Sequence, residues 1–312
     1  MEEEFLNNEL IERFEKMLEE KQSYYFDTEE FYEIISYYLD VGDLPFAKKA
    51  IEYAEELYPS SMEIQIKRLE YLLSIEKLKP AAQLITELKE IADSDMDYII
   101  CVARFWSLKG VSKKALTYYK KALEFGDDLE YIYNCMGNEY LNLKDIESAL
   151  YHFQRALELN LDDDFSFFSC VQCFEDLRLP RECIDFLLQY IELRPYSELA
   201  WSQLGQQYMA LKIYEEAHRA FDYATLINPK SILAYTQKAA CLEKLEDFEE
   251  AIKIYEETLE LDDSAAYTYL QIGRCYIKLG KPFKALKAFH QSLHEDPQLD
   301  QSWVATSDLY ES

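Results

Sequence analysis

Residues 198–231 read ELAWSQLGQQYMALKIYEEAHRAFDYATLINPKS, and these 34 residues decide how the rest of the chain is read. Numbered from 1 to 34, they place Trp201 at position 4, Leu204 at 7, Gly205 at 8 and Tyr208 at 11. That spacing puts four residues on one stripe of a first helix. Ala217, Phe221 and Ala224, at positions 20, 24 and 27, form the matching stripe of a second helix. Small residues at 8, 20 and 27 let two helix backbones approach closely, and the large ones fill the remaining gaps. Pro229 at position 32 stops the second helix, and Ser231 is placed to cap the next one.

Steps of 34 residues carry the pattern in both directions without an insertion. The residues at positions 20 and 24 become Ala251/Tyr255 and Ala285/Phe289 going forward, and Cys183/Leu187, Ala149/Phe153, Ala115/Tyr119, Ala81/Ile85 and Ala47/Ile51 going back. Eight repeats result: 28–61, 62–95, 96–129, 130–163, 164–197, 198–231, 232–265 and 266–299. Glycine and proline agree with this register. Gly42, Gly110 and Gly280 fall at position 15, where a left-handed residue ends a first helix. Gly137, Gly205 and Gly273 fall at position 8, the close-approach site, and no proline falls inside a helix.

The pattern resembles the tetratricopeptide repeat, a family of 34-residue helix-turn-helix units. The resemblance implies an all-α, right-handed superhelical solenoid, about eighteen helices long, whose first helices line a concave groove. Members of the family generally bind peptides, or segments of other proteins, in that groove through positions 2, 5, 6, 9, 12 and 13. Residues 1–27 are expected to form a capping helix, with Leu6, Leu10, Phe14, Met17 and Leu18 as its apolar stripe. Residues 300–312 are expected to begin a ninth unit, with Trp303 and Tyr310 at positions 4 and 11. Without a second helix that end lacks a polar cap. The expectation is that the chain continues, or that a partner or a second copy covers this face. The second repeat departs most from the pattern, with Arg68 and Leu69 at positions 7 and 8, and reads as the weakest pairing; Ile35 at position 8 should open the first repeat slightly.

The formal net charge is −28, and residues 1–61 alone carry 17 acidic against 5 basic side chains. Nucleic acid and anionic membrane surfaces both require a basic footprint, so neither is expected as a partner. No secretory leader and no membrane-spanning run is visible. The seven cysteines follow the repeat register, as in Cys101/Cys135 at position 6 and Cys241/Cys275 at position 10, so no disulfide plan is implied and a reduced, cytoplasmic protein is expected. Cys170 and Cys173 form a CxxC inside a helix, where a redox motif does not belong.

Catalytic chemistry is not indicated. His290 and His294 have metal-ligand spacing but no third ligand in the register, and neither a phosphate-binding glycine loop nor a GxSxG is present. No catalytic residue, metal or cofactor is expected, and the chain reads as a non-enzyme.

The groove positions of repeats three to eight carry Asp97, Glu175, Asp176 and Glu243 against Arg104, Lys244, Arg274 and Lys278, a sum of zero. Position 5 holds no lysine in any repeat, which disfavours the family's two-carboxylate clamp. Gln203, Gln237 and Gln271 recur at position 6, and Asn138, Gln172 and Gln206 at position 9. An amide both donates and accepts, so such rows suit the backbone of an extended peptide. With Asn134, Phe168, Tyr267 and Arg274 beside them, these residues are the expected peptide-binding set. The function expected is that of a protein-interaction scaffold or adaptor. The alternative is a structural assembly subunit that self-associates through its solenoid ends, the C-terminal end among them.

Overall fold

The computed structural model describes residues 2–20, 24–261 and 265–311. Met1, residues 21–23 and 262–264, and Ser312 lie outside this set, and with them parts of the expected cap, seventh repeat and C-terminal half-unit; the side chain of Leu6 is also outside it. Contacts divide the chain into two compact units, residues 1–173 and 174–312. Among the described residues the secondary structure is entirely helical. The first unit holds α1 (Glu2–Glu20), α2 (Thr28–Asp40), α3 (Leu44–Leu57), α4 (Met62–Ser74), α5 (Leu78–Ala92), α6 (Met96–Leu108), α7 (Ser112–Ala122), α8 (Leu129–Asn142) and α9 (Ile146–Leu159). Helix α10 (Asp164–Asp176) spans the division. The second unit continues with α11 (Pro180–Leu193), α12 (Glu198–Ala210), α13 (Tyr214–Ile227), α14 (Ile232–Lys244), α15 (Phe248–Leu259), α16 (Ala266–Lys278), α17 (Pro282–Glu295) and α18 (Asp300–Glu311).

Local chemistry sets these limits. Asp27 and Glu30 form a reciprocal capping box at the start of α2, with N–H···O distances of 2.8 and 2.9 Å. Ser61, Asp95, Ser197 and Ser231 cap later first helices from position 34 of the preceding repeat. Position 15 is left-handed in every repeat. Gly42, Gly110 and Gly280 adopt φ of 76°, 69° and 67°, and Glu76, Lys144, Arg178, Lys212 and Glu246 adopt 54° to 62° without glycine's freedom.

Positions 8 and 24 are matched in size. A methyl on Gly137, Gly205 or Gly273 would lie 2.6, 2.7 or 2.2 Å from the ring of Phe153, Phe221 or Phe289. Where position 8 is alanine, position 24 is tyrosine, as in Ala103/Tyr119 and Ala239/Tyr255. Where position 8 is larger, position 24 shrinks: Ile35 stands with Ile51, and Leu69 with Ile85. Ile35 and Leu69 are both fully buried in core clusters that include those partners. The smaller partner at position 24 lets these residues be buried, but α2–α3 and α4–α5 still touch along less of their length than the glycine-paired α8–α9, α12–α13 and α16–α17, as large residues at position 8 require. Arg68 lies outside that core and pairs with Glu55 at 2.8 Å.

Helix α1 buries Ile11, Phe14 and Met17, with Leu10 and Leu18 half-buried beside them. The Phe14 ring lies edge-on to Phe26, Phe31 and Tyr53 at centroid distances of 5.9, 6.5 and 6.3 Å. In the second unit Trp201 stacks on Tyr223 at 4.5 Å and donates from Nε1 to the Pro195 carbonyl at 2.9 Å. Trp303 makes the same indole bond to Pro297, also 2.9 Å, but stays 55% exposed.

Candidate functional site

In the first unit the inward positions of α2, α4 and α6 are occupied by charge that the chain itself satisfies. Lys67 at position 6 is 7% exposed and donates to Glu70 Oε2 at 3.1 Å. Arg104 reaches the other oxygen of Glu70 at 3.4 Å. The Lys67 ammonium lies over the Tyr32 ring, 4.2 Å from its centroid, and the Tyr32 hydroxyl donates to Asp97 Oδ2 at 2.7 Å. Burial alone would lower the Lys67 pKa, but Glu70, Tyr32 and Asp97 outweigh it and hold the ammonium above its ordinary value. Burial and the bond to Asp97 push the Tyr32 hydroxyl up to about 12. Further along this unit, Ser107 donates to the buried carboxylate of Glu139.

In the second unit the inward positions of α14, α16 and α18 leave an open concavity of about 1000 Å³. Helix α14 contributes Glu243 and Lys244, and α16 contributes Arg274, Ile277 and Lys278. From α18 come Asp300, Gln301, Val304, Ala305, Asp308 and Leu309. The spacing i, i+3, i+4 puts Arg274, Ile277 and Lys278 on one face of α16, and i, i+4, i+8 does the same for Asp300, Val304 and Asp308 on α18. Phe289, pressed against Gly273, lies at the bottom. The Arg274 guanidinium donates to Gln271 Oε1 at 3.4 Å and to Gln301 Oε1 at 3.2 Å, so both acceptors are neutral amides. Glu243 accepts the Tyr255 hydroxyl at 2.5 Å.

The expected peptide-binding residues fall into distinct environments. Asn134 is engaged within the chain: its Nδ2 donates to Asp163 at 2.8 Å and its Oδ1 accepts from Ser166 at 2.6 Å. Asn138, Phe168 and Gln172 are exposed in the first unit. Gln206 belongs to the second, so the position-9 row is divided between the units. The position-6 row lies wholly in the second unit, on α12, α14 and α16; Gln203 and Gln237 are half-buried, whereas Gln271 is buried beneath Arg274. Tyr267 is 49% exposed at the start of α16. Of the whole set only Arg274 lines the concavity. Of its other charged walls, Glu243, Lys244 and Lys278 are among the groove charges that sum to zero in the sequence, whereas Glu246, Asp300 and Asp308 lie outside the groove positions of repeats three to eight. The signal that finds them is position 9, 12 and 13 of the last full repeat together with positions 1, 5 and 9 of α18.

Titration is perturbed elsewhere by burial. His152 packs among Tyr133, Tyr140 and Tyr151, and burial, then Lys120, lowers it to about 4. Burial pushes the Cys183, Cys241 and Cys275 thiols up to about 12. Among the described residues no group of three or more His, Cys, Asp or Glu is placed to hold a metal ion, and no helix is long and apolar enough to cross a membrane.

Three family models described as tetratricopeptide repeat match residues 130–163, 232–264 and 267–298. With paired helices recurring throughout, this defines the class: the chain carries tetratricopeptide repeats. No curated protein matches the sequence. Among solved structures, the C-terminal part of a TPR repeat-containing protein from Cytophaga hutchinsonii is similar over 77% of this chain and 98% of its own, at 14% identity and a TM-score of 0.62. That likeness shows the fold. The MamA protein is 21% identical over 55% of this chain and 93% of its own, with a TM-score of 0.48. YrrB, described as a TPR protein with an unusual peptide-binding site, is 19% identical over 61% of this chain and 97% of its own, with a TM-score of 0.49.

Proposed function

We propose that this chain is a protein-interaction scaffold that holds a peptide or protein segment in the concavity formed by α14, α16 and α18. The observation that carries the reading is that open space of about 1000 Å³, with apolar Ile277 and Val304 between charged side chains. It is large enough for several side chains of a ligand and is not filled by the chain's own residues. Gln203 and Gln237 continue the inner face on α12 and α14 and would meet the backbone of a longer ligand. The competing reading, self-association through α18, is favoured by the exposure of Trp303 and Tyr310, 55% and 68%.

One experiment separates the two. Random short peptides displayed on phage are panned against the parent and against Ile277→Asp/Val304→Asp, with the mass of the parent followed by light scattering across a concentration series. Peptides that enrich on the parent and lose binding to the variant, at constant monomer mass, support the scaffold. If every enriched peptide ignores the variant, the groove reading is wrong; a mass that climbs with concentration favours self-association.

A further inference from the structure

The groove that the proposed function rests on has a charge order, and that order narrows the ligand. Lys244 stands at the end of α14, and Arg274 and Lys278 follow on α16. The opposite sign, Asp300 and Asp308, stands on α18. Among the described residues none of these five forms an ion pair: Arg274 bonds two amide oxygens, and Lys244, Lys278, Asp300 and Asp308 have no carboxylate or cation within reach. Elsewhere in the same repeats lysines do find carboxylates, as in Lys281–Glu249 at 3.0 Å and Lys253–Glu250 at 2.5 Å. The chain has 60 acidic residues against 32 basic ones, so acidic partners are abundant. What leaves Lys278 and Asp308 unpaired is the space between them.

The acid on the α14 side does not reverse this order. Glu243 is half-buried and holds the Tyr255 hydroxyl; Glu246, in the left-handed turn after α14, is exposed and also lines the space, so this side keeps an excess of cations, three against two carboxylates. Ile277 and Val304 lie between the two sets of charges, 40% and 59% exposed. A ligand that fills the space therefore meets cations on one side, an apolar strip in the middle and anions on the other. A charge entering a partly dehydrated groove is favoured only opposite its counter-charge, and the wrong order places like charges together.

We propose that the groove recognises a peptide segment of alternating character, an acidic residue facing Lys244, Arg274 and Lys278, an apolar anchor on Ile277 and Val304, and a basic residue facing Asp300 and Asp308. Charge order, not net charge, is what the site reads. A uniformly acidic peptide meets Asp300 and Asp308 as well as the long-range field of a chain at net −28, and a uniformly basic one meets the three cations.

The test pans the same displayed random peptides on three folded proteins: the parent, Lys244→Glu/Lys278→Glu, and Asp300→Lys/Asp308→Lys. Circular dichroism melts establish that the surface changes leave the fold intact. On the parent, enriched sequences carry an acidic and a basic residue on either side of an apolar one. On the first variant the acidic preference gives way to a basic one, and on the second the basic preference gives way to an acidic one. A synthetic peptide from the parent selection binds the first variant at least about tenfold more weakly, and its charge-reversed version recovers on a variant carrying all four changes. Peptides that depend on Ile277 and Val304 yet show no charge order, or are uniformly acidic, overturn this proposal while leaving the scaffold reading in place. Peptides that ignore Ile277 and Val304 overturn both.

Discussion

The inner faces of α2–α4–α6 and of α14–α16–α18 are built on the same register and come out opposite. In the first, Lys67 and Arg104 share Glu70 while Tyr32 holds Asp97, and the polar groups of neighbouring helices meet one another. In the second, three cations line a space with Asp300 and Asp308 across from them on α18 and Glu243 and Glu246 on the α14 side, and no ion pair joins them among the described residues. The repeat specifies where an inward side chain stands. It does not specify whether that side chain finds its counter-charge within the chain or leaves it to a ligand. One of these faces is a structural element that is ionic, and the other leaves its charges facing open space.

The largest way to break the comparison is to remove the shared carboxylate. Glu70→Ala leaves Lys67, whose side chain is 9% exposed, and Arg104 without a carboxylate in direct contact. Breaking a buried pair from one side costs several kcal/mol because the remaining charge stays desolvated, and we expect about 3 kcal/mol here, reduced by the partial exposure of Arg104. Asp308→Ala, on the open face, should cost under about 0.5 kcal/mol. Hydrogen exchange over α4 and α6 for the first, and over α16 and α18 for the second, reads each unit separately. Comparable losses in both would erase the distinction between a closed and an open face.

A further test concerns a buried titratable ring. His152 in the first unit is 9% exposed with Nδ1 unbonded; in the second unit His218 is half-buried and burial lowers its pKa as well, while His290 and His294 are exposed. The folded pKa of His152, about 4, lies below the ordinary 6.5, so the unfolded chain takes up the proton first as pH falls. The stability this neutral ring contributes is complete above about pH 6.5, declines between about 6.5 and 4, and is lost below that; the linkage amounts to about 2 kcal/mol by pH 5. His152→Phe keeps an aromatic ring among Tyr133, Tyr140 and Tyr151 and removes the proton site. Its unfolding free energy should fall less than the parent's from pH 7.5 to 5, measured by urea melts of the first unit's helices. Parallel pH profiles for parent and variant would show that the ring protonates in place.

These differences were unequally legible. The register was readable because each mark of it is local: Gly205 against Phe221, Ser197 before α12, Pro180 at the start of α11. The large Ile35 and Leu69 are legible in the same way: each is buried against an isoleucine at position 24, and the α2–α3 and α4–α5 pairs touch less than the glycine-paired helices do. The site was less readable. Asn134 is spent on Asp163 and Ser166, residues of the following turn and helix, and Gln271 lies under Arg274. The first depends on how neighbouring helices are spaced, which no single repeat states; the second is an i, i+3 contact within α16 itself. The groove positions of repeats three to eight sum to zero, but that sum leaves out Asp300 and Asp308, which α18 brings opposite the cations of α16.

The smallest expected effect is one in which the two units should agree. Position 15 is left-handed in both, and at Gly42, Gly110 and Gly280 a methyl would meet nothing within 4 Å. Space is therefore not at issue, and only backbone strain separates glycine from other residues there. An L-residue in this region costs about 1 kcal/mol, partly offset because glycine loses more freedom on folding. Lys144 in the first unit, φ 61°, and Lys212 in the second, φ 60°, carry that strain in matching turns. Both are exposed and make no ion pair among the described residues. Lys144→Gly and Lys212→Gly should each stabilise by about 0.5 kcal/mol, equal within a few tenths, while Gly280→Ala should destabilise by about 1 kcal/mol. Thermal and urea melts of the three variants measure this directly. Unequal gains would mean that the turn, and not only the inner face, differs between the units, and the contrast between a closed and an open face would then have to be sought in helix placement and no longer in side-chain charge alone.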